Sequence, residues 1–225
     1  MSEKKMLAID LGASSGRGIV GHFDGKKITL EENHRFPNEP VISAGQFNWD
    51  ILRIYHEIKN SIRKCALSDN KDIASIGIDT WGVDFGLLDK NGRLLGNPVH
   101  YRDTRNDGMF LESFKTMPKE KMYGITGIQF IDFNTLFQLL ATKRDTPELL
   151  NAAQDMLFIP DLLAYFLTGK KQTEYTIAST GQLLDASTGK WSEELISTFG
   201  LPRQIFGDIV APGTVCGELL PPVKE

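Results

Sequence analysis

The chain is poor in the features that would commit it to several large classes of protein. It has two cysteines in 225 residues, Cys65 and Cys216, which make neither a disulfide framework nor a metal knuckle. No window approaches the run of roughly 18 apolar residues that a membrane span needs. The opening MSEKKMLAIDLG has a charged prefix but too few apolar residues before Asp10 to act as a secretory signal, so a cytoplasmic protein is expected. Like charges never cluster: 25 Lys and Arg stand against 29 Asp and Glu, a net charge of −4. That balance gives no electrostatic reason for nucleic acid or an anionic membrane as partner. The four histidines, His22, His34, His56 and His100, lack the spacing of zinc ligands. No Gly-Lys-Ser/Thr phosphate loop is present.

What remains is an ordinary globular composition, 41% hydrophobic and 24% charged. The first third reads as strands and turns. MLAID, GRGIVGHF and KKITLEENHRF are short apolar or β-branched segments, and Asp24-Gly25 between the last two predicts a hairpin. A helix follows, capped by Asn48 or Asp50, with Ile51, Tyr55, Ile58, Ile62 and Cys65 on one stripe. IASIGID, GVDFGLLD and LLGNPVHY then echo the first block, with Asp10 and Asp79 at equivalent strand ends. Beyond residue 105 helices are expected at 107–116, 134–143, 147–155, 160–167 and around WSEELISTFG, with an extended GQLLDASTGKW between the last two. Strand blocks alternating with helices predict an α/β fold.

Four segments carry candidate chemistry. In Asp10-Leu-Gly-Ala-Ser-Ser-Gly-Arg17 a strand delivers a carboxylate to a turn of small residues. The N–H groups of such a turn can approach an anion, and Gly12 and Gly16 permit positive φ. Ser14 and Ser15 add hydroxyls, Arg17 adds a cation suited to phosphate, and Asp10 suits a hydrated divalent cation. The plain alternative is a hairpin turn built from Gly and Ser. In Asp79-Thr-Trp-Gly-Val-Asp84, Trp81 could stack on a sugar and Gly82 leaves backbone bare, although on this segment alone a core tryptophan beside a turn glycine explains both more simply. In His100-Tyr-Arg-Asp-Thr-Arg105, Asp103 and Arg105 could bond hydroxyls or form a solvated ion-paired turn. In Gly127 to Asn134, Asn134 either offers an amide to a ligand or caps the next helix.

Taken together, these segments resemble the FGGY carbohydrate kinases of the actin-like ATPase superfamily. The likeness rests on AIDLGASSGR at 8–17, SIGIDTWGVDFGLLD at 75–89, YRDTR at 101–105, TGIQFIDFNTLFQL at 126–139, PDLLAYFLTGK at 160–170 and APGTVCGEL at 211–219. It implies an actin-like/ribonuclease H-like α/β domain with a mixed sheet flanked by helices, residues 1–225 being the first of two kinase domains. It implies transfer of a phosphoryl group from Mg-ATP to a sugar. The pairing of DTWGVD with ASSGR points to the branch acting on the 1-hydroxyl of L-rhamnulose, with L-fuculose or D-xylulose kinases and a non-catalytic sugar- or partner-binding module as alternatives.

By that resemblance Ala13, Ser14, Ser15, Gly16 and Arg17 contact the ATP phosphates, Asp10 organises magnesium, and Gly82 lies against the ketose. Asp79, Trp81, Asp103 and Asn134 are sugar-side or structural. The aspartate that serves the family as general base is expected beyond Glu225, in or near a carboxy-terminal domain that completes the cleft, so the chain alone is expected to be inactive.

Overall fold

Alternation along three consecutive strands builds the first sheet. The computed structural model describes residues 3–224. It gives β1 (Lys4–Leu11), β2 (Ser15–Phe23) and β3 (Ile28–Pro37), then a short hairpin of β4 (Val41–Ser43) and β5 (Gln46–Asn48) that leads into α1 (Ile51–Ala66) and β6 (Ile73–Thr80). The sheet order is β3-β2-β1-β6. β2 is antiparallel to both β1 and β3, whereas β6 runs parallel to β1, so the sheet is mixed. Leu7, Ile9 and Leu11 are buried while the residues between them are not. The period of two gives β1 one core face and one open face.

The hairpin expected at Asp24-Gly25 forms as a four-residue turn, with Phe23 opposite Ile28. Asp24 Oδ1 accepts from the N–H groups of Lys26 and Lys27, both at 2.7 Å, and Gly25 takes φ +99°. α1 starts where expected, with Asp50 Oδ1 accepting from Arg53 N at 3.1 Å. Its buried stripe is Ile51, Ile54, Ile58, Ser61 and Cys65, rotated from the one expected, and Tyr55 and Ile62 are only partly buried.

Within the span expected as one domain, the chain packs as two compact units. The first holds residues up to Val41, Asp50–Trp81 and the segment from Leu219; the second holds Ile42–Trp49 and Gly82–Glu218. The second unit is mainly helical. It contains β7 (Phe85–Leu88), α2 (Met109–Ser113), α3 (Lys119–Thr126), α4 (Thr135–Asp145), α5 (Pro147–Ala152) and β8 (Asp155–Phe158). α6 (Ile159–Thr168), β9 (Thr173–Glu174), α7 (Tyr175–Ala178), β10 (Leu184–Asp185), β11 (Lys190–Trp191), α8 (Glu193–Thr198) and β12 (Ile209–Val210) follow, and α9 (Pro221–Lys224) closes the described chain. Its core gathers Leu136, Phe137 and Leu139 of α4 with Phe158, Leu183, Leu195 and Ile205, all fully buried.

Three expectations fail here for tertiary reasons. The second block does not repeat the first: β7 pairs antiparallel with β8, and LLGNPVHY contributes only isolated bridges at Leu94 and Val99. The helix expected over 147–155 stops at Ala152, because Asp155–Phe158 is drawn into pairing with β7. α3 is a helix that Gly124 and Gly127 concealed; Gly127 closes it at φ +66°.

Two buried titratable groups give the second unit a distinctive pH dependence. Burial pushes the Asp161 carboxyl, in the first turn of α6, from its ordinary 3.8 up to about 8, with Glu174 adding repulsion and the Glu174 N–H bond opposing it. Burial, helped by Arg102, holds the His100 imidazole at about 4. Between pH 3.8 and 8 the unfolded Asp161 has lost a proton that the folded one keeps, so stability falls as pH rises, by at most about 1.4 kcal/mol per pH unit. Between pH 4 and 6.5 the unfolded His100 binds a proton that the folded one refuses, so its contribution rises with pH. The two slopes oppose each other up to about pH 6.5, and above that only the Asp161 loss remains. Urea titrations should therefore show stability falling between pH 6.5 and 8, and Asp161→Asn should abolish that fall. An unchanged slope in the variant would refute the assignment.

Candidate functional sites

In the first unit, residues Gly12 to Ser14 join β1 to β2. Gly12 N–H donates to Ser15 O at 2.9 Å, and Asn38 clamps the loop from β3's end: its Nδ2 donates to Gly12 O at 2.9 Å and its N–H to Ser14 O at 3.0 Å. These clamps occupy loop carbonyls, and none of them uses the N–H of Ala13 or Ser14. Gly12, Ala13 and Ser14 are exposed. The loop is thus rigid through its acceptors while presenting donors, the arrangement an anion needs.

The glycines act differently from expectation. Neither Gly12 nor Gly16 has positive φ. Gly16 is buried inside β2, where a Cβ would stand 2.3 Å from the Phe36 ring and 2.7 Å from Leu11. It supports the loop by letting Phe36 pack beneath it.

Arg17 and Asp10 are cross-strand partners, and they pair. Arg17 Nε and Nη2 reach Asp10 Oδ2 at 2.8 and 2.7 Å, with both side chains a little over 40% exposed. Asp79 lies next to Asp10 in the parallel register of β6 and is exposed. Asp10, Gly12, Ser15, Arg17 and Arg35 line an open depression of about 330 Å³. Among the described residues no group of three or more His, Cys, Asp or Glu side chains could hold a metal. One or two carboxylates fit magnesium nonetheless, because that ion keeps several waters and takes its remaining ligands from substrate phosphates.

The second unit holds the turn Gly82-Val83-Asp84. Val83 has φ +68°, a strained value for a β-branched residue. The strain is held from three sides. Val83 N–H donates to Thr180 Oγ1 at 3.1 Å, Thr135 Oγ1 donates to Val83 O at 2.6 Å, and Asp84, 1% exposed, is gripped by its carboxylate. Trp49 Nε1 donates to Asp84 Oδ2 at 2.6 Å, Tyr101 N–H to the same oxygen at 3.2 Å, and Gln138 Nε2 to Oδ1 at 2.8 Å. A Cβ on Gly82 would press Thr180 at 3.2 Å.

Asp103 and Asn134 both make hydrogen bonds within the scaffold. Both Asp103 oxygens accept backbone N–H groups, from Phe47 at 2.7 Å and Arg105 at 2.9 Å, and Asp103 is 7% exposed. These bonds shape the loop. Asn134 precedes α4 but makes no side-chain cap; its Nδ2 donates to Gln182 Oε1 at 2.6 Å and to Gln129 O at 2.9 Å. Trp81 is only partly buried at the end of β6, so it is not a core tryptophan, whereas Trp49 and Trp191 are buried. Sequence reasoning missed Trp49, Thr135, Gln138, Thr180 and Gln182, whose partners lie up to 97 positions away and leave no local signal. A ladder of rings, Phe47, His100, Trp49 and Tyr101, stacks at centroid distances of 4.2–4.4 Å about His100, and Phe133 meets Tyr101 edge-on at 5.4 Å.

Residues 5–225 match the profile of the FGGY family of carbohydrate kinases, N-terminal domain. The chain belongs to the FGGY family. The rhamnulokinase of Oceanobacillus iheyensis is 48% identical over 97% of this chain and 46% of its own length, and that of Bacteroides thetaiotaomicron 45% over 99% and 46%. This FGGY chain therefore spans about half the length of the curated relatives it matches. Among solved structures it resembles a Lactobacillus acidophilus gluconate kinase, TM-score 0.87 at 20% identity over 99% of this chain and 45% of that one. It also resembles the Plasmodium falciparum glycerol kinase with ADP, TM-score 0.81 at 20% identity over 98% and 46%. These likenesses agree with the α/β fold and mixed sheet expected of the family. No helix among the described residues is long and apolar enough to cross a membrane.

Proposed function

We propose that these residues form the part of an ATP-dependent ketose kinase that holds the sugar and the nucleotide phosphates, and that the sugar is L-rhamnulose, phosphorylated at its 1-hydroxyl. The observation that carries this is the likeness to proteins named rhamnulokinase, which runs through almost the whole chain at nearly half identity. The rigid loop supports it: Ala13, Ser14 and Ser15 offer N–H and hydroxyl donors to phosphate oxygens, and Gly16 holds the loop from below. Arg17 takes phosphate charge on the guanidinium that Asp10 now pairs. Asp10, with Asp79 beside it, would hold magnesium, which neutralises phosphate charge when bound. Gly82 offers bare backbone to the ketose, Trp81 an apolar face, and Asp103 and Asn134 keep the neighbouring loops in place. Phosphoryl transfer asks chiefly for such positioning and charge neutralisation. The proton acceptor and the rest of the nucleotide pocket are assigned to a carboxy-terminal domain, because the relatives are about twice as long.

Calorimetry on the chain with L-rhamnulose, L-fuculose and D-xylulose tests the sugar. L-Rhamnulose should bind at least tenfold tighter, and an equal or reversed ranking would overturn that choice. A coupled assay should find no sugar-dependent ATP turnover from this chain alone, and turnover surviving repurification would place the proton acceptor within it. Arg17→Ala should weaken ATP binding about tenfold, as expected for loss of a charge-assisted phosphate contact worth about 1.4 kcal/mol.

A further inference from the structure

The turn at Gly82 is a γ-turn of the rare kind. Asp84 N–H donates to Gly82 O at 2.9 Å across Val83, whose φ is +68°. Such a turn needs support from outside itself, and two threonine hydroxyls from distant parts of the chain provide it. Val83 N–H donates to Thr180 Oγ1 at 3.1 Å, and Val83 O accepts from Thr135 Oγ1 at 2.6 Å. Of the N–H and C=O groups of Gly82 and Val83, only the Gly82 N–H meets no partner among the described residues. That donor is left to a ligand.

The segment that carries Thr180 is itself strained and fastened. Thr180 Oγ1 donates to Ile177 O at 2.7 Å, which commits its hydrogen and turns a lone pair to Val83. Gln182, two residues on, has φ +59°, and its Oε1 accepts from Asn134 Nδ2 at 2.6 Å. Among the described residues only Ala44, Val83 and Gln182 combine a side chain with positive φ, and two of these flank the Thr180 bond. Backbone strain persists only where its surroundings hold it, and it gathers at ligand clamps. Thr180 also fills the side of Gly82 on which a Cβ would stand, 3.2 Å from Thr180 Cγ2 and Oγ1. All of these groups but Ala44's are brought together within the second unit, across about a hundred positions of sequence.

We propose that Thr180 is a positioning residue for the sugar: through the Val83 N–H it holds the γ-turn in the one shape that presents Gly82 to a ketose. The proposal rests on the assignment of Gly82 to the sugar side made above. Thr180→Val is nearly isosteric and removes the acceptor, whereas Thr180→Ser keeps it. Hydrogen exchange at the Val83 amide is read by NMR on the ligand-free chain, and L-rhamnulose and ATP binding by calorimetry. In Thr180→Val the Val83 amide should exchange about tenfold faster, and L-rhamnulose should bind about tenfold more weakly while ATP affinity holds. Thr180→Ser should restore both towards the wild-type values. Unchanged exchange at Val83 in Thr180→Val would overturn the proposal, as would an undiminished sugar affinity once that amide is released. Parallel losses of sugar and ATP affinity would also overturn it, because they would mark a general loss of structure. A Val83 amide that is unprotected in the wild-type chain would do so even if neither variant folds. A wild-type chain that binds no ketose would instead refute the sugar assignment, and the exchange rates would still decide whether Thr180 holds the turn.

Discussion

Asp84→Asn is expected to unfold the second unit at a markedly lower urea concentration, a loss of about 3 kcal/mol. The substitution is nearly isosteric, so packing is not at issue. Asp84 accepts from three donors, the Trp49 indole, the Tyr101 N–H and the Gln138 amide. Asparagine keeps one acceptor oxygen and turns an N–H₂ toward donors that the second carboxylate oxygen serves now. A buried donor facing a donor loses its bond and keeps its desolvation cost. The same carboxylate anchors the end of the strained Gly82-Val83 turn, so the variant should also lose sugar affinity. If Asp84→Asn costs less than about 1 kcal/mol in the urea titration, the carboxylate is not the anchor of that turn.

Gly16→Val is expected to destabilise the first unit by about 3 kcal/mol and to weaken nucleotide binding with it. The valine Cβ would fall 2.3 and 2.6 Å from Phe36 ring atoms and 2.7 Å from Leu11, and Phe36 is itself 4% exposed. The ring has nowhere to turn without opening the sheet beneath the loop. Gly21→Ala in the same strand is the control, because its Cβ meets nothing closer than 3.6 Å and the change should stay within about 0.5 kcal/mol. Chemical denaturation of the two variants separates a packing requirement from a general intolerance of side chains in β2. Equal losses in both would refute the specific role of Phe36.

Local patterns in the sequence were enough to place β1, β2, β3, α1 and the Asp24-Gly25 hairpin. Each rests on neighbours within a few residues: alternation along a strand, an aspartate capping the first turn, a turn glycine with positive φ. The loop from Asp10 to Arg17 was legible for the same reason, since its strand, its small residues and its cation are contiguous. Its glycines were misjudged because what forbids a side chain at Gly16 is Phe36, twenty positions away.

The second unit shows the opposite balance. That Asp155–Phe158 is a strand follows from β7 alone, and the apparent repeat of the first block disappears once β7 takes that partner. Asp103 and Asn134 carry polar groups that suit a ligand or the scaffold, and only the fold reveals the backbone N–H groups and the Gln182 amide that they bond. The sequence by itself determined the family, the mixed α/β character and the small-residue loop between β1 and β2, because those reside in contiguous residues. Tertiary structure alone decided which polar side chains are free and which are spent. A hydrogen bond's partner is chosen by the folded backbone, and sequence order carries no record of that choice.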